Sequence, residues 1–184
     1  TDGSGKATQV ELLNNYLEKN KIPHKIIAFP RYKENPYGKL IAQYLKGKFG
    51  GMHSENVYLM SLAFAGDRFL AKPKLEKWLK EGLLVISDRY VSSNKAHMSA
   101  RLPASQRNKF INWLDSLEYK INKIPREDLT IFLYVPPRVA QQNLKGKGSD
   151  MHEESLAHLN LSSQIYFRLA KDPSWVVINC SDNH

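Results

Sequence analysis

The first residues of the chain, Thr1-Asp2-Gly3-Ser4-Gly5-Lys6-Ala7-Thr8-Gln9, have the types that bind a phosphate group. Gly3 and Gly5 let the backbone turn tightly and aim its N–H groups inward. A helix starting beside them adds partial positive charge, and Lys6 can reach the outer phosphates of a nucleotide. The segment fits the later part of the phosphate loop G-x-x-x-x-G-K-[ST], with the first glycine falling just before Thr1. Gly3, Ser4, Gly5, Lys6, Ala7 and Thr8 are thus the expected ATP-binding residues. A Gly/Ser turn that merely caps a helix is the plainer alternative. Ala7 stands in the slot where Ser or Thr binds magnesium, and Thr8 lies on another helix face. Metal ligation then falls to carboxylates, with Asp2 and Asp88 as candidates.

Arg31 and Arg89 each follow an apolar stretch that reads as a strand, which puts both at the carboxyl edge of a sheet. Ligands of α/β folds bind at that edge. One such arginine reads as a surface ion pair; two beside a phosphate loop suit a phosphate dianion, which guanidinium groups bind bidentately. Asp88, just before Arg89, sits as a Walker B-type acid does. Phe64 and Arg68 are four apart and share one helical face, where Phe64 taken alone is a core residue. The segment 145–155 contains Lys145, Gly146, Lys147 and Gly148 and reads as a mobile loop, or more plainly as a solvated linker.

These side chains need a frame. Val10, Leu13 and Leu17 repeat at helical spacing and predict a helix over about residues 6–20. His24–Phe29 reads as a short strand ended by Pro30. Val57, Met60 and Phe64 predict a helix to about residue 71, with Pro73 opening a separate short one that stops at Gly82. Leu83–Ser87 reads as a buried strand, and Phe110, Trp113, Leu117 and Ile121 mark the next helix. Leu129–Val135 is a continuous apolar strand, as a sheet covered on both faces demands. Pro136-Pro137 starts another helix, Leu156, Leu159, Tyr166 and Leu169 place one over about 153–171, and Trp175–Asn179 is a last strand. This alternation predicts an α/β fold with a parallel sheet. With no repeat or low-complexity linker, residues 1–184 are expected to form one domain.

Composition narrows the partners. At 184 residues, 42% hydrophobic and 24% charged, the chain can bury a core without disulfides or metals. It lacks the roughly 18-residue apolar run of a membrane-spanning helix, so no membrane partner is expected. The lone Cys180 cannot form an internal disulfide; it reads as a buried structural thiol in a reducing, cytoplasmic setting. The net charge of +9 fits nucleic acid or small polyphosphates, but Lys and Arg are spread along the chain without a block or aromatic ladder. Nucleic acid is therefore disfavoured.

Four further stretches are specific: Phe29-Pro30-Arg31-Tyr32, Leu62–Arg68, Ser87–Asn94 and Lys147–Glu153. With the phosphate loop, in this order and spacing, they resemble the thymidylate kinases, and the resemblance runs over essentially the whole chain. It implies a P-loop NTPase three-layer sandwich: about five parallel strands with helices on both faces, the first strand missing from this sequence. It implies γ-phosphoryl transfer from ATP to dTMP, with Mg²⁺ as cofactor and a homodimer as the assembly. Lys6, Arg89 and Lys147 are then the catalytic residues. Asp2, Arg31, Tyr32, Phe64, Arg68, Arg89, Asn94 and His97 hold the substrate. Asp2, Asp88 and Glu153 serve the metal, and 145–155 is a LID in which Asp150 and Glu153 match an acidic pair that approaches the metal and the dTMP sugar. The resemblance also marks departures: lysines replace LID arginines, His97 a tyrosine near the sugar, and Met98 a glutamine. The competing readings are a kinase for another deoxynucleotide or nucleoside, and a basic nucleic-acid-binding protein with a degenerate kinase site.

Overall fold

The computed structural model describes residues 3–49, 57–145 and 156–181. Helices α1 (Lys6–Lys19), α2 (Pro36–Leu45), α3 (Val57–Lys80), α4 (Val91–Ser99), α5 (Ala104–Asp115), α6 (Pro137–Lys145) and α7 (Leu156–Leu169) are interleaved with strands. The strands are β1 (His24–Ala28), β2 (Leu84–Asp88), β3 (Thr130–Tyr134) and β4 (Trp175–Asn179). β1 pairs with β2 and β3 with β4, both in parallel, as short apolar strands separated by helices must. The expected mixed α/β character with parallel strands is thus present, arranged among the described residues as two strand pairs.

Four differences from the sequence expectations are present. Pro73 lies inside α3, which runs unbroken for 24 residues. A proline costs the helix one N–H bond, but Ala71 and Leu75 on either side are buried in the core, and that packing holds the helix straight through. The helix predicted to run through Leu117 and Ile121 stops being α-helical at Asp115 and continues as a π-helical turn, Ser116–Ile121. In it the Asn122 N–H donates to Leu117 O at 2.9 Å, five residues back. Cys180 is only half-buried, because β4 is largely exposed beyond Trp175. β2 is likewise half-buried along most of its length rather than sealed in.

Helices α2 and α4 lie outside the periodicity reading. α2 has a clear local cause: Asn35 caps it, its Oδ1 accepting from the Gly38 N–H at 2.9 Å, and Pro36 occupies the first turn. The core gathers Ile41, Val57, Val91, Phe110 and Leu114, all fully buried, with Phe29, Tyr90 and Phe132 joining the strands to the helices. Among the described residues no helix is long and apolar enough to cross a membrane.

Candidate active site

The phosphate loop leads into α1 through Gly5, whose φ of 79° lies in the left-handed region that favours glycine. Gly3 also has a positive φ, of 73°, and a Cβ there would lie 2.3 Å from the Ala140 carbonyl oxygen. Asn143 Nδ2 donates to the Gly3 carbonyl at 2.8 Å. The loop is therefore seated on α6, the helix that follows β3. Ser4 is buried, Lys6 half-buried, and Ala7 and Thr8 are exposed on the first turn of α1.

The register of β1 and β2 brings the two arginine segments side by side. Ala28 pairs with Asp88 as the last rung, and the Phe29 N–H continues the ladder to Asp88 O at 3.0 Å. Asp88 therefore closes its strand instead of following it. Its Oδ1 is buried and has no hydrogen-bond partner among the described residues. Arg89 has a φ of 66°, a left-handed conformation that is uncommon outside glycine, and its carbonyl accepts from Ser87 Oγ at 2.5 Å. Tyr90 then enters α4 and meets the Phe29 ring at 5.8 Å. Burial, with Glu127 adding, pushes the Tyr90 hydroxyl well above the ordinary range, so it stays a donor, to Pro125 O at 2.9 Å.

Arg31 is held from several directions. Asp67 Oδ2 accepts from its backbone N–H at 2.8 Å, Asp67 Oδ1 from its Nε at 2.9 Å, and the Asp67 carbonyl from Nη2 at 2.6 Å. Asn35 Nδ2 donates to Asp67 Oδ1 at 2.6 Å, which ties the α2 cap into the same cluster. Gly38 is required here, since a Cβ would lie 1.9 Å from Arg31 O. Tyr32 follows, 44% exposed.

The next residue of α3, Arg68, turns to another element. Its Nε and Nη2 both donate to Glu118 Oε1, and the two side chains are 2% and 0% exposed. Phe64, one turn earlier, is half-buried against the core. Asn94 on α4 is buried, and its Nδ2 donor has no partner among the described residues. His97 stacks on His158 at 5.9 Å and meets Tyr166 edge-on at 5.7 Å, while Met98 is packed into the core. Asp2, Lys147, Asp150 and Glu153 lie outside the described residues.

Sequence reasoning left Asp67, Asn35 and Glu118 without roles. Glu118 carried a signal, since it falls one turn after Leu114 on a core-facing stripe, where a carboxylate needs a partner. Asp67 carried less, as nothing local says that it reaches Arg31.

A glycine-rich loop with its lysine, an orphaned strand-end carboxylate and two arginine segments on neighbouring strands describe a phosphoryl-transfer site. The family model for thymidylate kinase matches residues 1–184. The chain belongs to the thymidylate kinase family. Relatives agree. A probable thymidylate kinase of Pyrobaculum aerophilum is 32% identical, covering 98% of this chain and 84% of that protein. A Mycobacterium tuberculosis thymidylate kinase is 29% identical over 96% of this chain and 87% of its own length. The solved thymidylate kinase of Candida albicans, a protein of broad substrate specificity, superposes with a TM-score of 0.78. It is 26% identical, and the match covers 100% of this chain and 82% of that one. The thymidylate kinase activity is ATP-dependent phosphorylation of dTMP to dTDP, and its fold is that of the P-loop NTPases.

Proposed function

We propose that this thymidylate kinase family chain moves the γ-phosphoryl group of ATP onto dTMP, using the phosphate loop together with the Arg31 and Arg89 segments that follow β1 and β2. An oxygen of the dTMP phosphate attacks the γ-phosphorus as the bond to the β-phosphate oxygen breaks, giving dTDP and ADP. Positioning and charge neutralisation supply most of the acceleration. Gly3, Ser4, Gly5, Lys6, Ala7 and Thr8 cradle ATP, with the Lys6 ammonium on the β- and γ-phosphates. Arg31, Tyr32 and Arg89 hold the acceptor phosphate, Phe64 stacks on the base, and Arg68 and Asn94 donate to it. His97 lies beside the sugar. Asp2 joins the substrate set, and Lys147 the catalytic one.

The observation that carries this reading is the pair of orphaned buried groups, Asp88 Oδ1 and Asn94 Nδ2, at two positions expected to meet ligand. Buried polar atoms without partners are rare, and a missing ligand accounts for both. Asp88 Oδ1 also fits Mg²⁺ or its water shell, with Asp2 and Glu153 completing the set. Among the described residues no three His, Cys, Asp or Glu side chains form a metal cage. Substrate phosphates would supply further oxygen ligands beside these carboxylates. When bound, the ion neutralises charge on the β- and γ-phosphates.

In the same reading the two strand pairs are parts of one sheet of about five parallel strands in a three-layer sandwich. Residues 1–184 form a single domain with a LID at 145–155. Leu59, Leu62, Phe69 and Leu70 are exposed on α3 and support a homodimer built on that helix. A cytoplasmic location fits the enzyme class. The test is a coupled phosphoryl-transfer assay over dTMP, dUMP, dCMP and UMP. Preference for dTMP is expected; preference for dCMP or a purine nucleotide would overturn the substrate assignment.

A further inference from the structure

We infer that Glu118, on the π-helical turn, is a positioning residue for base recognition, acting by fixing the guanidinium of Arg68. The inference rests on the reading of Arg68 as a base contact. Arg68 and Glu118 are both sealed from solvent, and the charge of each is met by the other. Glu118 Oε1 takes Nε and Nη2 together, which commits one edge of the planar fork and leaves Nη1 outside that contact. Glu118 Oε2 is buried with no partner among the described residues, so Arg68 is the group that this carboxylate answers to.

The backbone around Glu118 is built for this contact. The wide turn is closed by Asn122 N–H to Leu117 O at 2.9 Å and by Ile124 N–H to Glu118 O at 3.1 Å. One turn along α3, Lys72 Nζ donates to Asn122 O at 3.1 Å. Arg68 and Lys72, four apart on α3, thus grip Glu118 and Asn122, four apart at the π turn. A π-helical insertion is rare and recurs at functional sites.

Two consequences bear on specificity. An arginine loses much side-chain freedom when it makes a fixed contact, and Glu118 takes that loss during folding, before any ligand arrives. The paired carboxylate also cancels the Arg68 charge, so the pocket receives an uncharged base and does not compete with Arg31 and Arg89 for phosphate.

The test is steady-state kinetics of Glu118→Gln and Glu118→Asp beside Arg68→Gln, with dTMP, dUMP and dCMP as acceptors and thermal melting as a fold control. Glu118→Gln should raise KM for dTMP by about 10-fold, the scale of one charge-assisted hydrogen bond. It should narrow the preference over dCMP while kcat and the KM for ATP stay within a few-fold. Glu118→Asp, which keeps the charge, should recover part of the loss. An unchanged KM and acceptor ranking in Glu118→Gln overturns the inference, as does an equal fall of kcat with every acceptor. If Glu118→Gln does not fold, Glu118→Asp decides: a raised KM for dTMP supports the inference and an unchanged one overturns it. Should Arg68→Gln itself leave the ranking untouched, the base-contact reading has failed. Should only the Glu118 variants do so, the positioning role alone has.

Discussion

The residues expected to touch phosphate and base differ in how they are held, and the difference shapes what their loss should do. Lys6 is a half-buried loop-to-helix residue, so Lys6→Ala should leave the melting temperature nearly unchanged. It should lower kcat by at least about 100-fold, as removal of a preorganised electrostatic contact does. Stopped or continuous ADP-release assays measure it, and near-normal turnover would sink the phosphate-loop assignment. Asp88→Asn should impair turnover severely across a magnesium titration, whereas Ala7→Ser should change it only modestly. Arg68→Ala should cost about 10- to 150-fold in kcat/KM for dTMP, from a hydrogen bond to a charged group of roughly 1.5–3 kcal/mol. Its fate is not that of an exposed arginine, because it strands Glu118 in the core. A loss of about 3–5 kcal/mol in stability is expected from one half of a broken buried ion pair, readable by urea unfolding. Of the site residues, Arg31, Arg89, Phe64, Arg68 and Asn94 are proposed from the sequence because short motifs carry them. Asp67 is not, since its partner Arg31 lies 36 positions earlier and only the tertiary fold joins them.

At the scale of elements, legibility followed the kind of signal each one gives. Helix α1 and the four strands came through at nearly their observed bounds, because apolar periodicity and turn residues act locally. α3 was cut too soon because Pro73 was weighed by its backbone cost without the packing that offsets it. α2 is announced by its cap and first-turn proline, a signal that periodicity alone misses. That cap is also tied through Asp67 to Arg31. Asn35→Ala should cost about 1 kcal/mol as a lost N-cap, and it should also raise KM for dTMP, because Asn35 steadies the Asp67 that grips Arg31. Gly38→Ala should be harsher, since its new methyl meets the Arg31 carbonyl. Circular-dichroism melting and dTMP kinetics measured together separate the two losses; an unchanged KM in both variants would refute a role for that tie. If 145–155 acts as the proposed LID, hydrogen exchange there should slow when a bisubstrate analogue binds, and equal exchange with and without it would argue for a plain linker.

For the molecule as a whole, a homodimer through α3 predicts that sedimentation velocity at micromolar concentration gives about twice the monomer mass. Leu62→Glu or Phe69→Glu should then shift it toward monomer, and a wild-type monomer under those conditions would reject the dimer. Stability and catalysis meet most sharply at Arg89. Its backbone takes a conformation that any side chain bearing a Cβ occupies at a cost, of roughly 1–2 kcal/mol. Among variants that lack the guanidinium, Arg89→Gly should therefore outlast Arg89→Ala in thermal melting by about 1 kcal/mol, though both should be nearly inactive. A mutant library sorted only for resistance to heat would enrich glycine at this position and discard the enzyme in doing so. Selection for growth would pull the other way and hold the strained arginine in place, generation after generation.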